Sequence, residues 1–167
     1  MPKFKPLPSQ EKLHDLFDYS VVTGELYWKN PTRYKSYKGR VAGSVNLKGY
    51  VMVDVKLNSE RLRYYAHRVI WKWVTGEDPG ALDIDHKNGI RDCNAWHNLR
   101  KATKKQNRAN QPRRGWTKTP CGNYRVMCGS MDTNRYVGTF KTEAEARAAY
   151  AEAKRALHGE FSPIRLE

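Results

Sequence analysis

Four polar residues in the middle of the sequence have types and spacings that suit hydrolysis of a phosphodiester bond. Asp85 and His86 are adjacent, Asn98 follows His86 by twelve positions, and Asn107 follows it by twenty-one. Such hydrolysis needs a divalent cation on the scissile phosphate and a base that deprotonates the attacking water. The Asp85 carboxylate and the Asn107 amide oxygen are hard ligands suited to Mg²⁺ or Mn²⁺, with positions left open for phosphate and water. The unperturbed pKa of histidine suits a general base, so His86 can act as the base, and Asn98 can fix its tautomer.

Short strands and a short helix must position these side chains. Asp85 and His86 end a short apolar strand, a polar loop follows, and a second short strand begins after Asn98. Because successive side chains of a strand point to opposite faces, His86 is expected to face away from Asp85. Thr103 is a suitable N-cap for a helix with Asn107 on its second turn.

This pattern resembles the HNH endonucleases carried by phages and group I introns, over roughly residues 19–111. The matching pieces are Ala66-His67-Arg68-Val69-Ile70-Trp71, Asp85-His86, Asn98-Leu99-Arg100 and Gln106-Asn107. The resemblance implies a ββα-metal core with His86 as general base and Asn98 as the residue that orients it. It also implies Asp85 and Asn107 as metal ligands. Many family members have histidine where this chain has Asn107, and the asparagine variant occurs in the intron-encoded branch.

Upstream of this core, the sequence predicts strands and then a helix. Strand signals cover residues 25–28, 50–57 and 61–65, with a turn at Asn58-Ser59. A helix is predicted from His67 to Val74, ending at Gly76. The expected role of His67 is packing or capping. The alternative is that His67 contacts phosphate or helps to position the catalytic residues without contacting the substrate.

The charge of the chain favours a polyanionic partner. There are 31 Lys and Arg against 17 Asp and Glu, a net charge of +14. No acidic residue occurs between Arg100 and Lys118, and no amphipathic apolar face accompanies this basic stretch, so nucleic acid is favoured over a membrane surface. The candidate DNA contacts in this stretch are Arg100, Lys104, Lys105, Arg108, Arg113, Arg114 and Lys118.

Other features of the composition narrow the class of protein. Cys93, Cys121 and Cys128 form no CxxC pair, which disfavours a disulfide framework or a cysteine-rich zinc site. The sequence has no long apolar run, and Met1 to Gln10 lack the apolar centre of a signal peptide. The expected location is therefore the cytoplasm.

The last block of the sequence predicts three strands followed by one helix. Thr142 and Glu145 form a capping-box pattern, Ala146, Ala149, Tyr150, Ala153 and Leu157 share one helical face, and Gly159 suits the end of the helix.

This block resembles the plant ethylene-response-factor (Apetala-type) DNA-binding domain, which also occurs fused to phage HNH nucleases. The matching pieces are Gly115, residues 124–126, 136–140 and 143–150, and His158-Gly-Glu-Phe161. Thr117, Lys118 and Thr119 replace the arginine-rich first strand of the plant domain. The resemblance implies a sheet that faces DNA, with Arg125 and Arg135 added to the candidate contacts.

The sequence thus predicts an α+β protein. Small N-terminal strands and a helix lead into a ββα-metal (HNH) core, and a separate three-stranded antiparallel sheet packed on one helix follows. The predicted domains are an endonuclease domain at 1–111 (core about 80–111), a linker at 112–115 and an Apetala-type domain at 115–163.

The predicted function is metal-dependent hydrolysis of duplex DNA by a phage-encoded homing-type or nicking endonuclease that acts in the host cell. One active centre per chain favours a monomer. Two alternatives stay open, a non-catalytic DNA-binding regulator and a protein that binds or cleaves RNA.

Overall fold

The structure is a computed structural model that describes residues 6–31, 35–57, 60–111, 113–129 and 133–162. By its contacts the chain divides into two compact units, Met1–Thr103 and Lys104–Glu167. The first unit contains α1 (Gln10–Leu16), β1 (Phe17–Tyr19), β2 (Leu26–Trp28), β3 (Ser44–Val45), β4 (Val51–Leu57), β5 (Glu60–Tyr65), α2 (Ala66–Thr75), β6 (Asp83–His86) and β7 (Leu99–Ala102). The second contains α3 (Lys104–Asn110), β8 (Trp116–Lys118), β9 (Tyr124–Cys128), β10 (Arg135–Phe140) and α4 (Glu143–His158).

In the part of the first unit that the structure describes, the strands form three small antiparallel sheets. Strands β1 and β2 pair with each other, β3, β4 and β5 form a meander, and β6 and β7 form a hairpin. In β4 the side chains of Val53 and Val55 are buried while the residues between and beside them are more exposed. This alternation is what a strand with one face on the core requires.

The core of the first unit lies between the two helices and the meander. Leu13 and Leu16 of α1, Val69 and Ile70 of α2, and Val53 of β4 belong to one buried cluster. Helix α2 starts directly after β5 and ends at Gly76, which has a left-handed backbone (φ 76°). A residue without Cβ adopts that conformation without strain.

Several sequence predictions for this unit are confirmed. Strands are present at residues 26–28, 51–57 and 60–65, and the predicted helix is α2 with its end at Gly76. The predicted turn at Asn58-Ser59 lies outside the described residues. Helix α1 was not predicted.

The second unit contains α3 and a three-stranded antiparallel sheet of order β10-β9-β8, with α4 in contact with all three strands. The capping box is confirmed, since Thr142 Oγ1 accepts from the Glu145 amide at 3.2 Å and Glu145 Oε2 accepts from the Thr142 amide at 3.1 Å. Ala146 and Val126 are buried where helix and sheet meet.

Of the residues predicted to share one face of α4, Ala146 is buried and Ala149, Tyr150 and Ala153 are half-buried, whereas Leu157 in the last turn is 48% exposed.

The contact boundary at Thr103 precedes the predicted linker at 112–115, so α3 is grouped with the second unit. The predicted functional division at 111 stays a prediction, and Pro112 and Pro163 lie outside the described residues. The three cysteines are free. Among the helices that the structure describes, none has the length and apolar character needed to span a bilayer.

Candidate active site

The β6–β7 hairpin presents the predicted catalytic residues at the end where its connecting loop begins. His86 pairs with Leu99 across the hairpin, and Asp85 pairs with Arg100. The segment before β6 is held by α2, because the Arg68 guanidinium donates to the carbonyl oxygens of Gly80 and Leu82, at 3.0 Å each. The helix therefore fixes where the strand with the acid and the imidazole begins.

Asn98 holds the loop that joins the two strands. Its Nδ2 donates to the Cys93 carbonyl at 2.7 Å and to Asn88 Oδ1 at 3.0 Å, and its Oδ1 accepts from the Asn88 amide at 2.9 Å. It is only 4% exposed, so these bonds form away from water. In this geometry the amide of Asn98 organises the loop, while a different asparagine contacts the imidazole of His86.

That asparagine is Asn94. His86 Nε2 donates to Asn94 Oδ1 at 2.9 Å, and both side chains are buried. Because an amide oxygen only accepts, this bond places the proton of the neutral imidazole on Nε2 and the lone pair on Nδ1. Burial lowers the pKa of His86, while the bond to Asn94 and the nearby Asp85 carboxylate act in the opposite direction. The imidazole is therefore neutral at pH 7 and can accept a proton through Nδ1.

Asn94 is itself positioned by the turn between β1 and β2. Tyr19 Oη donates to the Asn94 carbonyl oxygen at 2.8 Å. Gly24 lies so close that an added Cβ would fall 2.3 Å from the Asn94 carbonyl carbon and 2.2 Å from the Ala95 nitrogen. Gly24 also has φ +80°, a second reason for glycine at this position. The turn between β1 and β2, far away in sequence, thus positions Asn94, the hydrogen-bond partner of the His86 imidazole.

Arg100 lies beside the Asp85 carboxylate. Its Nε donates to Asp85 Oδ2 at 2.9 Å, and its Nη2 lies 2.9 Å from the same oxygen. The side chain of Asp85 is 5% exposed and that of Arg100 is 10% exposed. Arg100, predicted from the sequence as a DNA contact, is therefore turned towards the acid, which it orients and whose charge it balances.

The donors available for a metal ion are oxygens. Among the described residues, no three His, Cys, Asp or Glu side chains gather in a way that could hold a metal. The Asp85 carboxylate and the Asn107 amide are the kind of hard ligands that Mg²⁺ and Mn²⁺ accept, with water and phosphate completing the shell. Asp85 is on β6 of the first unit, and Asn107 is on α3 of the second.

A group of aromatic rings packs around the catalytic imidazole. The His67 ring centroid is 5.1 Å from that of His86, and the Tyr50 centroid is 6.2 Å from it. Tyr65 stacks on His67 at 5.3 Å. Burial lowers the pKa of His67 to about 3. Its Nδ1 is buried with no hydrogen-bond partner among the described residues, so His67 is neutral and contributes by packing.

The remaining basic candidates lie in the second unit, and all of them are exposed. Arg125 lies opposite Thr117 and Thr139 on a row of the sheet that alternates with buried Val126. It therefore faces away from α4. Arg114 donates to Glu143 Oε1 at 2.9 Å. The others are Lys104, Lys105, Arg108, Arg113, Lys118 and Arg135.

Comparison with known proteins shows what the stretch that contains this site is similar to. The family described as HNH endonuclease matches residues 64–109, the stretch from β5 to α3 that contains all four predicted catalytic and metal-binding residues. Residues 64–109 are therefore similar to HNH endonucleases, as the sequence pattern predicted.

A solved structure that concerns DNA binding and cleavage by the HNH homing endonuclease I-HmuI is also similar. The identity is 27%, the match covers 62% of this chain and 56% of that chain, and the TM-score is 0.47. The chain thus spans just over half the length of that protein. No curated protein matches the chain.

Proposed function

We propose that this protein is a metal-dependent endonuclease that cleaves duplex DNA. The observation that supports it most is the buried His86 imidazole, which donates through Nε2 to Asn94 beside the Asp85 carboxylate. This arrangement lies inside residues 64–109, the stretch that matches the HNH endonuclease family. We extend the proposal to a ββα-metal arrangement of β6, β7 and α3, and to a homing-type or nicking enzyme of phage origin that acts as a monomer.

His86 acts as the general base in this mechanism. Nδ1 takes a proton from the water whose oxygen forms the new bond to phosphorus, and the imidazole becomes positively charged. The bond from phosphorus to the leaving sugar oxygen breaks, and that oxygen takes a proton from solvent. The Asn94 oxygen then accepts a hydrogen bond from a cation, which is stronger than the bond in the resting state. Asn98 supports the step from a distance, since its bonds hold the loop that contains Asn94.

Asp85 and Asn107 would hold the divalent ion. The ion supplies Lewis-acid stabilisation of the negative charge that develops on the phosphate. Arg100 keeps the Asp85 carboxylate in place through two contacts to Oδ2. His67 packs against the base and stays uncharged, so it adds no positive charge that would weaken proton transfer to His86.

The basic residues bind the DNA backbone. We propose that Lys104, Lys105 and Arg108 contact phosphates and that the sheet of the second unit, with Arg125 on its outward face, acts as an Apetala-type DNA-binding domain. The net charge of +14 supports a polyanionic partner. Binding should weaken steeply with salt, because each neutralised phosphate releases counterions.

Cleavage of a supercoiled plasmid tests the proposal. The wild type is incubated with Mg²⁺ or Mn²⁺ beside His86→Ala, an EDTA control, and His97→Ala, which changes an exposed histidine in the same loop. We expect open-circle or linear product from the wild type and His97→Ala, and a rate lower by roughly 10²-fold or more for His86→Ala. Because the target can be absent from one plasmid, phage and bacterial DNA are tested in parallel. If the protein retards DNA in a gel but cleaves none of these substrates, the endonuclease proposal is refuted and a non-catalytic DNA-binding regulator is favoured.

A further inference from the structure

The turn between β3 and β4 presents a leucine to solvent. The relative exposure of Leu47 is 109%, against at most 78% for the other exposed large apolar side chains that the structure describes. One exposed leucine is ordinary in a soluble protein. Leu47 differs from an ordinary exposed leucine because its turn is held by several hydrogen bonds and is joined to the loop that contains the catalytic residues.

The turn is held rigidly by Asn46. Asn46 Oδ1 accepts from the amides of Lys48 at 2.9 Å and Tyr50 at 3.1 Å, and the Asn46 carbonyl accepts from the Gly49 amide at 2.9 Å. Turn geometry requires Asn46 and Gly49 here, but it does not require leucine at the tip, where small or polar residues are usual. Leu47 is thus presented at a fixed position and packs against nothing in this unit.

Arg91 joins this turn to the catalytic loop. Its Nη1 donates to the Lys48 carbonyl oxygen at 2.8 Å, and its guanidinium lies 5.2 Å from the centroid of the Tyr50 ring. Tyr50 in turn packs near His86, with the ring centroids 6.2 Å apart. Contacts within one compact unit therefore fix the position of Leu47 relative to His86, the proposed general base.

The surroundings of Leu47 match a duplex rather than an apolar partner. Lys48 and Arg91 are both exposed beside it, and both are positively charged. An apolar side chain flanked by cations suits a groove of duplex DNA. There the cations contact phosphates, and the apolar side chain enters between two base pairs.

We propose that Leu47 acts as a wedge that inserts at a base step of the bound duplex near the scissile phosphate and unstacks it. This inference rests on the proposed endonuclease function. By opening the step, Leu47 bends the duplex and brings the phosphate within reach of His86. Leucine supplies bulk without hydrogen-bonding groups, so the wedge selects a step that unstacks easily and not a particular base.

The test uses a duplex that spans a cleavage site mapped on DNA cut by the wild type, with 2-aminopurine placed at successive positions. Fluorescence is measured with the inactive His86→Ala protein and with the double variant that adds Leu47→Ala. We expect one position to brighten several-fold with the first protein and to stay quenched with the second. Leu47 packs against nothing in its unit, so its replacement leaves the fold intact, and circular dichroism checks this.

Cleavage kinetics provide the second readout. On the intact duplex, Leu47→Ala should cleave roughly 10- to 100-fold more slowly than the wild type. On a duplex with a mismatch at the step where the fluorescence increased, it should be slower by less than about threefold, because the mismatch has already weakened the stacking there. Val22→Ala changes another exposed apolar residue, 78% exposed, and should cleave both duplexes at the wild-type rate.

Equal rates for Leu47→Ala and the wild type on the intact duplex would overturn the wedge. So would an equal loss on both duplexes, which would mean a plain surface contact. Absence of cleavage by the wild type itself is a separate result, because it refutes the endonuclease and the wedge together.

Discussion

Replacement of Asn94 with leucine removes the hydrogen-bond acceptor of the catalytic imidazole. Asn94 is 2% exposed, and its Oδ1 lies 2.9 Å from His86 Nε2. Leucine has nearly the same size, so the main change is chemical. In the variant, His86 has no acceptor at position 94 and no partner there that fixes the tautomer with the lone pair on Nδ1.

The expected loss follows from the charge that His86 acquires. A hydrogen bond to a charged group contributes about 1.5–3 kcal/mol and one between neutral groups about 0.5–1.5 kcal/mol, so about 1–1.5 kcal/mol is gained only in the transition state. At about 1.4 kcal/mol for each factor of ten, the cleavage rate should fall by roughly 5- to 13-fold. The affinity for DNA should not change, because Asn94 is buried.

The pH dependence distinguishes this effect from a disturbed fold. The bond to Asn94 raises the pKa of His86, against the lowering by burial. Activity needs the unprotonated base, so it rises as pH increases through that pKa. Without the bond the pKa falls further. The acid limb of the profile should therefore move to lower pH, while the plateau rate decreases.

Single-turnover cleavage of a mapped substrate, followed between roughly pH 5 and pH 9, measures both quantities. His97→Ala is the matched control, because its side chain is exposed in the same loop. A plateau within threefold of the wild type would refute the assignment of Asn94. An acid limb that moves to higher pH would refute the argument about charge.

Three further substitutions test the surroundings of the base. Arg100→Gln removes the guanidinium that contacts the buried Asp85 carboxylate, so the free energy of unfolding in EDTA should fall by about 3 kcal/mol. A loss below about 1 kcal/mol in urea titrations would contradict this. The pKa of His67 is about 3 in the folded chain, whereas an unperturbed histidine has a pKa of about 6.5. Between these two pH values the unfolded chain binds a proton that the folded chain excludes. The wild type should therefore lose about 1.4 kcal/mol of stability per pH unit as the pH falls through that range. His67→Phe should remove that part of the slope, and an unchanged slope would be evidence against a buried, neutral histidine. Gly24→Ala should lower both the unfolding midpoint and the cleavage rate, since its Cβ would displace Asn94. Gly39→Ala, with φ +77° and open space around it, should lower stability by about 1–2 kcal/mol through backbone strain alone and leave cleavage unchanged.

Local pattern was sufficient to predict much of the fold. Apolar residues of α2 recur at helical spacing and Gly76 follows them, and β4 alternates along its length, so both elements could be found from neighbouring residues alone. Helix α1 was missed because it has seven residues and only two buried ones, Leu13 and Leu16. Packing on α2 stabilises it, and that contact lies outside any local window.

The site was predicted in its residue types but not in its pairings. Asn88, Asn94 and Asn98 lie in one loop, and residue type alone cannot show which of them contacts the imidazole. That choice depends on the approach of Gly24 from another turn. Likewise the sequence places Arg100 in a basic stretch, and only the strand register shows that it lies opposite Asp85.

The bond between His86 and Asn94 has two effects that leucine removes together. It holds the proton on Nε2, and it raises the basicity of a group whose pKa burial has lowered. Asn94→Asp separates them, because a carboxylate keeps an acceptor at the same place and adds negative charge, which raises the pKa of a neighbouring imidazole. If orientation is what the asparagine contributes, the aspartate variant retains activity at high pH with its acid limb moved upward by about one pH unit or more. If the asparagine acted only as loop scaffolding, aspartate and leucine would lower the rate equally and leave the acid limb where it is in the wild type.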